Sequence, residues 1–342
     1  MKQIMRRPIL RRSIIGGILA AGLAFSTTGA RAEVTEVRFA RQLGLGYLQL
    51  YVMQELQLVE KQGEKLGLKA LKASYTPLGS PSAINDALLA GTTDFGAAGV
   101  TPFIILWDKT RSNIQVKAVA ALNAQPAFLN SNKPDIKSLR DFTEKDRIAV
   151  PTVKLSLQAI LLQMAAEKTF GPGQQNKLDH LTVSLAHPDG TAALLSGRTE
   201  ITAHFTSPPF QYQQLQDAKV HRVLSSYEIT DGPASFSAIW TTAKFRNDNP
   251  KAYQAVNAAL EEATQIIRQN RKEAARIFVK LDNSKLPQDF IEQLLADPDI
   301  QYSTAPQNFE KFSDFLHRIG SIQAKPTWRD LVFPEAHGKP GS

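Results

Sequence analysis

The chain has 342 residues, no cysteine and a formal net charge of +8. Six of its 40 basic residues and none of its 32 acidic residues fall within residues 1–32, so the remainder carries 34 basic against 32 acidic residues. A nearly neutral remainder excludes the strongly basic surface of a nucleic-acid-binding protein. The lack of cysteine excludes disulfides, thiolate metal sites, a cysteine nucleophile and lipid attachment at a leader junction.

Residues 1–32 have the layout of a secretory signal peptide. Arginines precede an uncharged apolar stretch at 13–25, and a small-x-small cleavage site follows at 30–32. The apolar stretch is short for a membrane span, although a retained anchor is the alternative. The arginine pair at 11–12 is also typical of a twin-arginine leader, so Sec and twin-arginine export both stay open. We predict a cleaved signal peptide and a periplasmic protein that is not a lipoprotein.

Strand-like and helix-like segments alternate along the rest of the chain. Predicted strands lie at 34–41, 68–75, 116–124, 145–150, 181–185, 220–225 and 235–241, and predicted helices at 47–66, 82–90, 155–168 and 249–281. Residues 130–137 are predicted as a polar loop. Alternation at this spacing indicates parallel sheets covered by helices.

The order of these segments predicts two lobes. Residues 33–124 would form the first part of lobe 1, and 125–235 would form lobe 2. The last third, 236–342, has too few strands for a separate α/β domain, so we expect it to return to lobe 1 and add C-terminal helices. Two crossings between lobes make a hinge, and a hinge beside a cleft is typical of a protein that captures a ligand.

Two segments repeat one template 106 positions apart. Residues 87–102 and 193–208 each contain an apolar helix end, a glycine, a threonine with an acid, a short apolar run and a hydroxyl residue before proline. Gly91 and Gly197 stand where a helix ends in the left-handed conformation that glycine adopts readily. The apolar run is about one buried strand long. The repeat therefore predicts two similar units of helix, turn, strand and helix start.

Hydroxyl residues before proline predict the helix starts where a ligand would bind. Ser80, Thr101 and Ser207 each precede a proline, which is the order of an N-cap and a first helical residue. A fourth start is predicted near 152–156. Such starts lie at the carboxyl ends of parallel strands, and their free N–H groups favour an anion. Whether each hydroxyl caps its own helix or bonds a ligand stays open.

Four further side chains are candidates with a structural alternative. The segment at 44–49 is a partial dinucleotide fingerprint and suits close backbone approach to a ligand, while its Tyr47 either stacks on a ligand or packs. Lys154 either pairs with an anion or stays solvated. His204 lies in an apolar run and is interpreted as a core histidine. Trp240 lies where the chain returns and either lines the cleft or fills the hinge.

Catalytic signatures are missing from the sequence. It has no His-Glu-x-x-His, no Gly-x-Ser-x-Gly and no phosphate-loop lysine motif. The segment at 187–189, His-Pro-Asp, is interpreted as a turn and a cap. Six scattered histidines form no metal-ligand pattern, so we expect no metal and no cofactor.

The chain resembles the substrate-binding proteins of nitrate-, sulfonate- and taurine-type ABC importers, which share a fold with thiamine-pyrimidine binders. The resemblance rests on segments 83–101, 135–141, 147–151, 192–210 and 249–250 in this order, and covers nearly all of the chain after the leader. It implies an α/β, two-lobed periplasmic binding protein fold of type II, with two hinge strands and a ligand cleft between the lobes. It also implies delivery of the solute to an inner-membrane permease with its ATPase.

By position, the resemblance implies ligand contacts on loops of both lobes. The predicted ligand-binding residues are Gln42, Gly46, Tyr47, Gly79, Ser80, Gly99, Val100, Thr101, Thr152, Lys154, Ser156, Thr206, Ser207 and Trp240. The chain departs from the family at 153–156, where Gly-Ser-Ser is common, and at 204–210, where a tryptophan is common before the proline. Both departures fall in the expected pocket, so nitrate or taurine does not carry over directly.

The predicted function is capture of a small, anionic organic solute, either sulfonate-, taurine- or nitrate-like or a carboxylate, by a monomeric, non-enzymatic protein for import. Two alternatives stay open at this point. One is an enzyme of the same fold, either a pyrimidine-precursor synthase or a periplasmic lyase. The other is a sensory protein that presents its ligand to a membrane receptor.

Overall fold

The structure, a computed structural model, describes residues 32–342, of which 33–342 form one compact unit. The predicted signal peptide lies outside the described residues apart from its last position. The strands are β1 Glu36–Arg41, β2 Lys72–Pro77, β3 Phe95–Gly99, β4 Val116–Ala124, β5 Phe128–Ser131, β6 Ile148–Val150, β7 Thr182–Ser184, β8 Ala203–Thr206, β9 His221–Ser225, β10 Ser235–Thr242 and β11 Gln301–Tyr302.

The strands form two sheets. The first has the order β11-β4-β10-β3-β1-β2, and the second has the order β7-β6-β8-β5-β9. In the first sheet β1, β2 and β3 run parallel, while β10 lies antiparallel to both β3 and β4. In the second sheet β6, β7 and β8 run parallel, and β5 lies antiparallel to β8 and β9. The chain therefore passes from the first sheet to the second after β4 and returns after β9.

Helices cover both sheets. They are α1 Leu48–Leu56, α2 Leu58–Lys65, α3 Pro81–Leu89, α4 Val100–Thr110, α5 Leu157–Phe170, α6 His187–Ser196, α7 Phe210–Gln214, α8 Ser226–Thr230, α9 Ala243–Asp248, α10 Pro250–Gln269, α11 Arg271–Leu281, α12 Gln288–Ala296, α13 Phe309–Arg318 and α14 Trp328–Leu331. The amphipathic helix α10 shows why they pack. It buries alanine, valine and leucine at the spacing of one helical face against α1 and α2. Over residues 32–342, no helix combines the length and apolar character needed to cross a membrane.

Several predicted elements differ from the structure. The polar segment at 130–137 begins inside β5, because Asn130 and Ser131 pair with both β8 and β9. The predicted helix at 47–66 is two helices, since Gln57 is left-handed with φ of 52°. The predicted helix at 249–281 is also two helices, broken at Asn270, whose side chain caps the second.

The repeat holds through its strands and then diverges. Gly91 and Gly197 are left-handed, with φ of 69° and 60°, as the template predicts. In the first copy, however, α4 starts two residues early with Gly99 as its N-cap, so Thr101 is a helical residue and the predicted cap is wrong. In the second copy, Ser207 precedes a cis peptide bond between two prolines, and α7 starts only afterwards. The predicted cap at Ser207 is therefore wrong as well.

Candidate functional site

Loops from the carboxyl ends of the parallel strands of both sheets meet face to face. We call this region the sheet junction. On the first-sheet side it consists of residues 42–47, 78–82 and 99–101, and on the second-sheet side of residues 151–157, 186–187 and 206–210. In open α/β sheets, ligands bind beyond the carboxyl ends of the strands.

Direct hydrogen bonds span the sheet junction. The backbone N–H of Leu45 donates to the carbonyl of Pro208 over 3.0 Å. The hydroxyl of Thr101 donates to the carbonyl of Leu155 over 3.2 Å. Two further hydroxyls, of Ser82 and Thr152, lie 3.4 Å apart. The first-sheet loops therefore contact the second-sheet loops at three separate points.

Glycines allow the two sides to approach closely. A Cβ atom at Gly99 would lie 2.8 Å from the Cβ of Leu157, which is closer than real Cβ atoms come. A Cβ atom at Gly79 would lie 3.4 Å from the Cβ of Ala186. Since Gly79 and Gly99 belong to different loops of the first sheet, the absence of a side chain at both positions lets α3 and α4 face the second sheet directly.

Two helices of the sheet junction begin at a capping serine; the cap at Ser80 was predicted, and the cap at Ser156 lies within the helix start predicted near 152–156. The Oγ of Ser80 accepts from the N–H of Ala83 at the start of α3, and the Oγ of Ser156 accepts from the N–H of Ala159 at the start of α5. Ser156 is fully buried. The positive ends of two helix dipoles therefore point into the sheet junction, one from each sheet, and each favours negative charge.

The predicted ligand residues of the first sheet lie mostly at the sheet junction. Gln42 is buried, and its Oε1 accepts from the hydroxyl of Tyr47 over 3.0 Å. The aromatic ring of Tyr47 is itself buried in the first-sheet core, which is the packing alternative of the sequence analysis. Gly46 lies in the 3₁₀ turn Leu45–Tyr47, and Val100 is a buried first residue of α4.

Two predicted ligand residues lie elsewhere. Trp240 is fully buried in the first sheet, where its ring stacks on Phe103 with centroids 5.6 Å apart. A Cβ atom on neighbouring Gly96 would lie 2.8 Å from its Nε1, so the sheet closes over the indole. Lys154 is exposed and left-handed, with φ of 58°, and lines a surface groove with Asp179. Of the open alternatives, the structure favours a solvated surface position for Lys154. It packs Trp240 inside the first sheet beside Gly96 and Ala118, which is neither the predicted cleft nor the predicted hinge.

His187 is a buried residue of the sheet junction that the sequence analysis assigned to a turn. It is the first residue of α6 and is only 4% exposed. Its Nδ1 shares a 2.7 Å hydrogen bond with the hydroxyl of Thr206, and its Nε2 lies 3.4 Å from both the hydroxyl of Ser207 and the amide nitrogen of Gln158. Its ring stacks on Phe210. Its position between a predicted strand and a predicted helix is the feature of the sequence that could have identified it as a residue of the site.

Burial keeps His187 uncharged. Desolvation lowers the pKa of its imidazole to about 3. A second histidine, His204, lies 5.8 Å away between ring centroids, and burial together with His187 lowers its pKa well below the usual value. Its Nδ1 accepts from the amide of Gln214 over 2.7 Å, as expected of a core histidine. The second-sheet side of the junction is therefore polar and neutral at these positions.

Arg41 supplies a buried cation on the first-sheet side. It ends β1 and is 3% exposed, and its guanidinium lies 3.6 Å over the ring of Tyr51. One guanidinium nitrogen donates to the carbonyl of Gln42, while Nε has no hydrogen-bond partner in the described part of the chain. The hydroxyl of Tyr51 donates to Asp282, whose pKa burial raises. Arg41 was not among the predicted site residues, because in the sequence it is an ordinary residue at the end of a strand.

Metal binding has no candidate site within 32–342: no three histidine or acidic side chains there cluster in a way that would hold an ion. The chemistry that the sheet junction offers is hydrogen bonding from hydroxyls, amides and helix N-termini, and the buried guanidinium of Arg41 adjoins its loop 42–47 through the carbonyl of Gln42.

The NMT1-like family model matches residues 36–281, which is more than half of the chain. The chain belongs to the NMT1-like family. No curated protein sequence matches it significantly. Similar solved structures include the alkanesulfonate-binding protein SsuA of Xanthomonas axonopodis pv. citri bound to MOPS, with 15% identity, a TM-score of 0.68, and coverage of 88% of this chain and 97% of that one.

Two more structures are similar to this NMT1-like protein. The periplasmic aliphatic sulphonate-binding protein SsuA of Escherichia coli is 18% identical, with a TM-score of 0.64 and coverage of 88% of this chain and 92% of that one. The periplasmic nitrate-binding protein NrtA of Synechocystis PCC 6803 is 16% identical, with a TM-score of 0.69 and coverage of 89% and 88%. At these identities the likeness shows the fold, and it confirms the predicted periplasmic binding protein fold.

Proposed function

We propose that this NMT1-like protein is the solute-binding component of an ABC importer. Its solved structural neighbours bind sulfonates or nitrate and are binding proteins. The observation that carries the proposal is the sheet junction. There the loops at the carboxyl ends of the parallel strands of both sheets meet, and hydrogen bonds such as that from Leu45 to Pro208 connect them. In this proposal the predicted lobes, 33–124 with 236–342 and 125–235, close over the solute, and an inner-membrane permease with its ATPase receives it.

The proposed solute is a small organic anion. The support is the buried guanidinium of Arg41, whose Nε has no partner among residues 32–342, and the two helix N-termini capped by Ser80 and Ser156. The candidate classes are sulfonates, carboxylates and nitrate. We further propose that the protein acts as a monomer in the periplasm after its leader is removed.

A thermal-shift screen tests the proposal. Residues 33–342, which form one compact unit, are unfolded and refolded to remove carried-over ligand and then heated with sulfonates, aromatic and aliphatic carboxylates, nitrate and pyrimidines. A ligand at a hundred times its dissociation constant stabilises the fold by about 2.7 kcal/mol. We expect stabilisation by anions. A well-folded sample that no candidate stabilises would contradict the proposal.

A matched pair of variants places the binding site. Ser207→Trp puts a large ring into the sheet junction, whereas Ser196→Trp puts the same ring on the exposed end of α6. We expect the first to abolish ligand-induced stabilisation and the second to retain it. Equal stabilisation of both variants would remove the sheet junction as the binding site.

A further inference from the structure

Gln125 is a buried side chain that the protein itself does not use. It lies in the three-residue connection between β4 and β5, where the chain leaves the first sheet for the second. It is 1% exposed, and neither its Nε2 nor its Oε1 has a hydrogen-bond partner within residues 32–342. Buried amides are nearly always hydrogen-bonded, so an amide with both ends unpaired requires an explanation.

The backbone around Gln125 is firmly held. The amide of Gln211 donates to the carbonyl of Pro126 over 3.0 Å, and the N–H of Ala127 donates to the hydroxyl of Ser226 over 2.9 Å. On the other side, Ala124 pairs with Ser235 in β10. Hydrogen bonds of the neighbouring backbone therefore hold Gln125 in place, and its own side-chain amide takes no part in them.

The unpaired amide adjoins the sheet junction. A Cβ atom on Gly46 would lie 3.0 Å from the Nε2 of Gln125. The same turn is anchored from below, because its carbonyl at Gly46 accepts from Asn123 over 2.6 Å and from Ser237 over 2.7 Å. The next residue back, Leu45, donates across the junction to Pro208. Gln125 therefore lies under the turn that joins the two sides of the site.

We propose that Gln125 is a specificity-determining residue whose amide is completed by the solute, an inference that rests on the proposed function. An unpaired buried amide is unfavourable, and a ligand that satisfies both of its ends recovers that cost on binding. Arg41 has donors only, whereas the Oε1 of Gln125 accepts. The solute that fits both carries an anionic group and, separately, an N–H or O–H donor.

The test compares Gln125→Leu, in which the apolar side chain fills the same place, with Gln323→Leu, which changes an exposed glutamine. Both are made in the full 342-residue chain, and the exported protein is stripped of ligand by refolding. Two pairs of probes differ only by an amine: taurine against ethanesulfonate, and β-alanine against propionate. Melting temperature without probe and the dissociation constant of each probe are measured.

We expect ligand-free Gln125→Leu to melt at or above the wild-type temperature, because an unpaired amide has been removed. We also expect the amine-bearing probe that stabilises the wild type to bind this variant at least tenfold more weakly, while Gln323→Leu binds it normally. A lower melting temperature for Gln125→Leu would show that the amide serves the fold, and unchanged affinity would show that it does not touch the solute. Either result overturns the inference and leaves the proposed function standing. A wild type that none of these probes stabilises overturns the inference, and the proposed function falls as well only when the wider thermal-shift screen is also silent.

Discussion

Two neutral histidines are the most unusual feature at the scale of single residues. His187 at the start of α6 and His204 in β8 are both buried, and each is hydrogen-bonded through Nδ1. The Nε2 of His204 has no partner among residues 32–342 and faces Gly190, where a Cβ atom would lie 2.7 Å away. Burial disfavours the charged form of both rings, so protonation competes directly with folding.

The fold should lose stability in mild acid because of these histidines. The folded-state pKa of His187, about 3, lies below the unfolded value near 6.5, so the unfolded chain binds more protons between these limits. The contribution of each neutral histidine to the free energy of unfolding is therefore complete above about pH 6.5. Below that pH the free energy of unfolding falls by about 1.4 kcal/mol per pH unit for each histidine. Urea unfolding between pH 7 and 4.5 measures this.

The variant His187→Gln isolates one histidine from the acidic residues that also titrate. Between pH 6 and 4.5 we expect this variant to take up about one proton fewer on unfolding than the wild type does. Its free energy of unfolding should therefore change less steeply with pH. His317→Gln, an exposed change on α13, is the control and should keep the wild-type slope. Identical slopes for all three proteins would show that His187 is protonated in the fold.

At the scale of elements, helix starts show what the sequence predicts well. Ser80 and Ser156 each cap the helix that follows them, and the other contacts of their hydroxyls, with Ser82 and Thr152 respectively, leave these caps in place. At Thr101 the backbone is already helical, and the hydroxyl bonds to Leu155 across the junction. At Ser207 a second proline follows the first and delays the helix. The tertiary contact made by Thr101 is not visible in the local sequence, whereas the second proline after Ser207 is present there and its effect on the helix start was not predicted.

A pair of alanine substitutions separates a real cap from the predicted one. Ser156→Ala removes the bond to Ala159 and a second bond from the hydroxyl to Thr152, and should lower the free energy of unfolding by about 1 kcal/mol. Ser207→Ala removes no cap, only a 3.4 Å contact with His187, and should cost clearly less. Denaturant unfolding of both variants decides, and equal losses would contradict this assignment of the caps.

The strand β5 was not predicted, because half of its buried residues are polar. The strand Phe128–Ser131 is fully buried, yet half of it is asparagine and serine, so it resembles a loop. Inside the fold most of those polar groups are paired: the amide nitrogen of Asn130 donates to Gln211 and Gln214, and the hydroxyl of Ser131 donates to Thr202, while the Oδ1 of Asn130 has no partner among residues 32–342. Hydrophobic periodicity does not predict a strand whose buried polar side chains are hydrogen-bonded to residues far away in the sequence.

At the scale of the whole molecule, sequence reasoning located loops but not their partners. The repeat and the parallel-strand pattern predicted which loops would face a ligand, because the carboxyl ends of parallel strands share one edge. Arg41, His187 and Gln125 were missed because their importance comes from burial and from unpaired atoms. Those properties arise only when both sheets and the connection between them are in place.

Closure of the two sheets can be tested by locking it. The hydroxyls of Ser82 and Thr152 lie 3.4 Å apart across the sheet junction, and the chain has no cysteine of its own. The double variant Ser82→Cys with Thr152→Cys should therefore form one disulfide without competing pairings. If the proposed function holds, a solute found in the thermal-shift screen should speed disulfide formation, because it favours the closed arrangement.

Retention of the solute is the decisive readout. When the double variant is oxidised with solute present, we expect the solute to stay with the protein through gel filtration and to leave after reduction, since the bridged loops cannot separate. When it is oxidised without solute, we expect later addition to give no thermal shift. The two single-cysteine variants control for the substitutions and should exchange solute freely under both conditions. A fully bridged protein that still exchanges solute would show that binding needs no separation of the loops at Ser82 and Thr152.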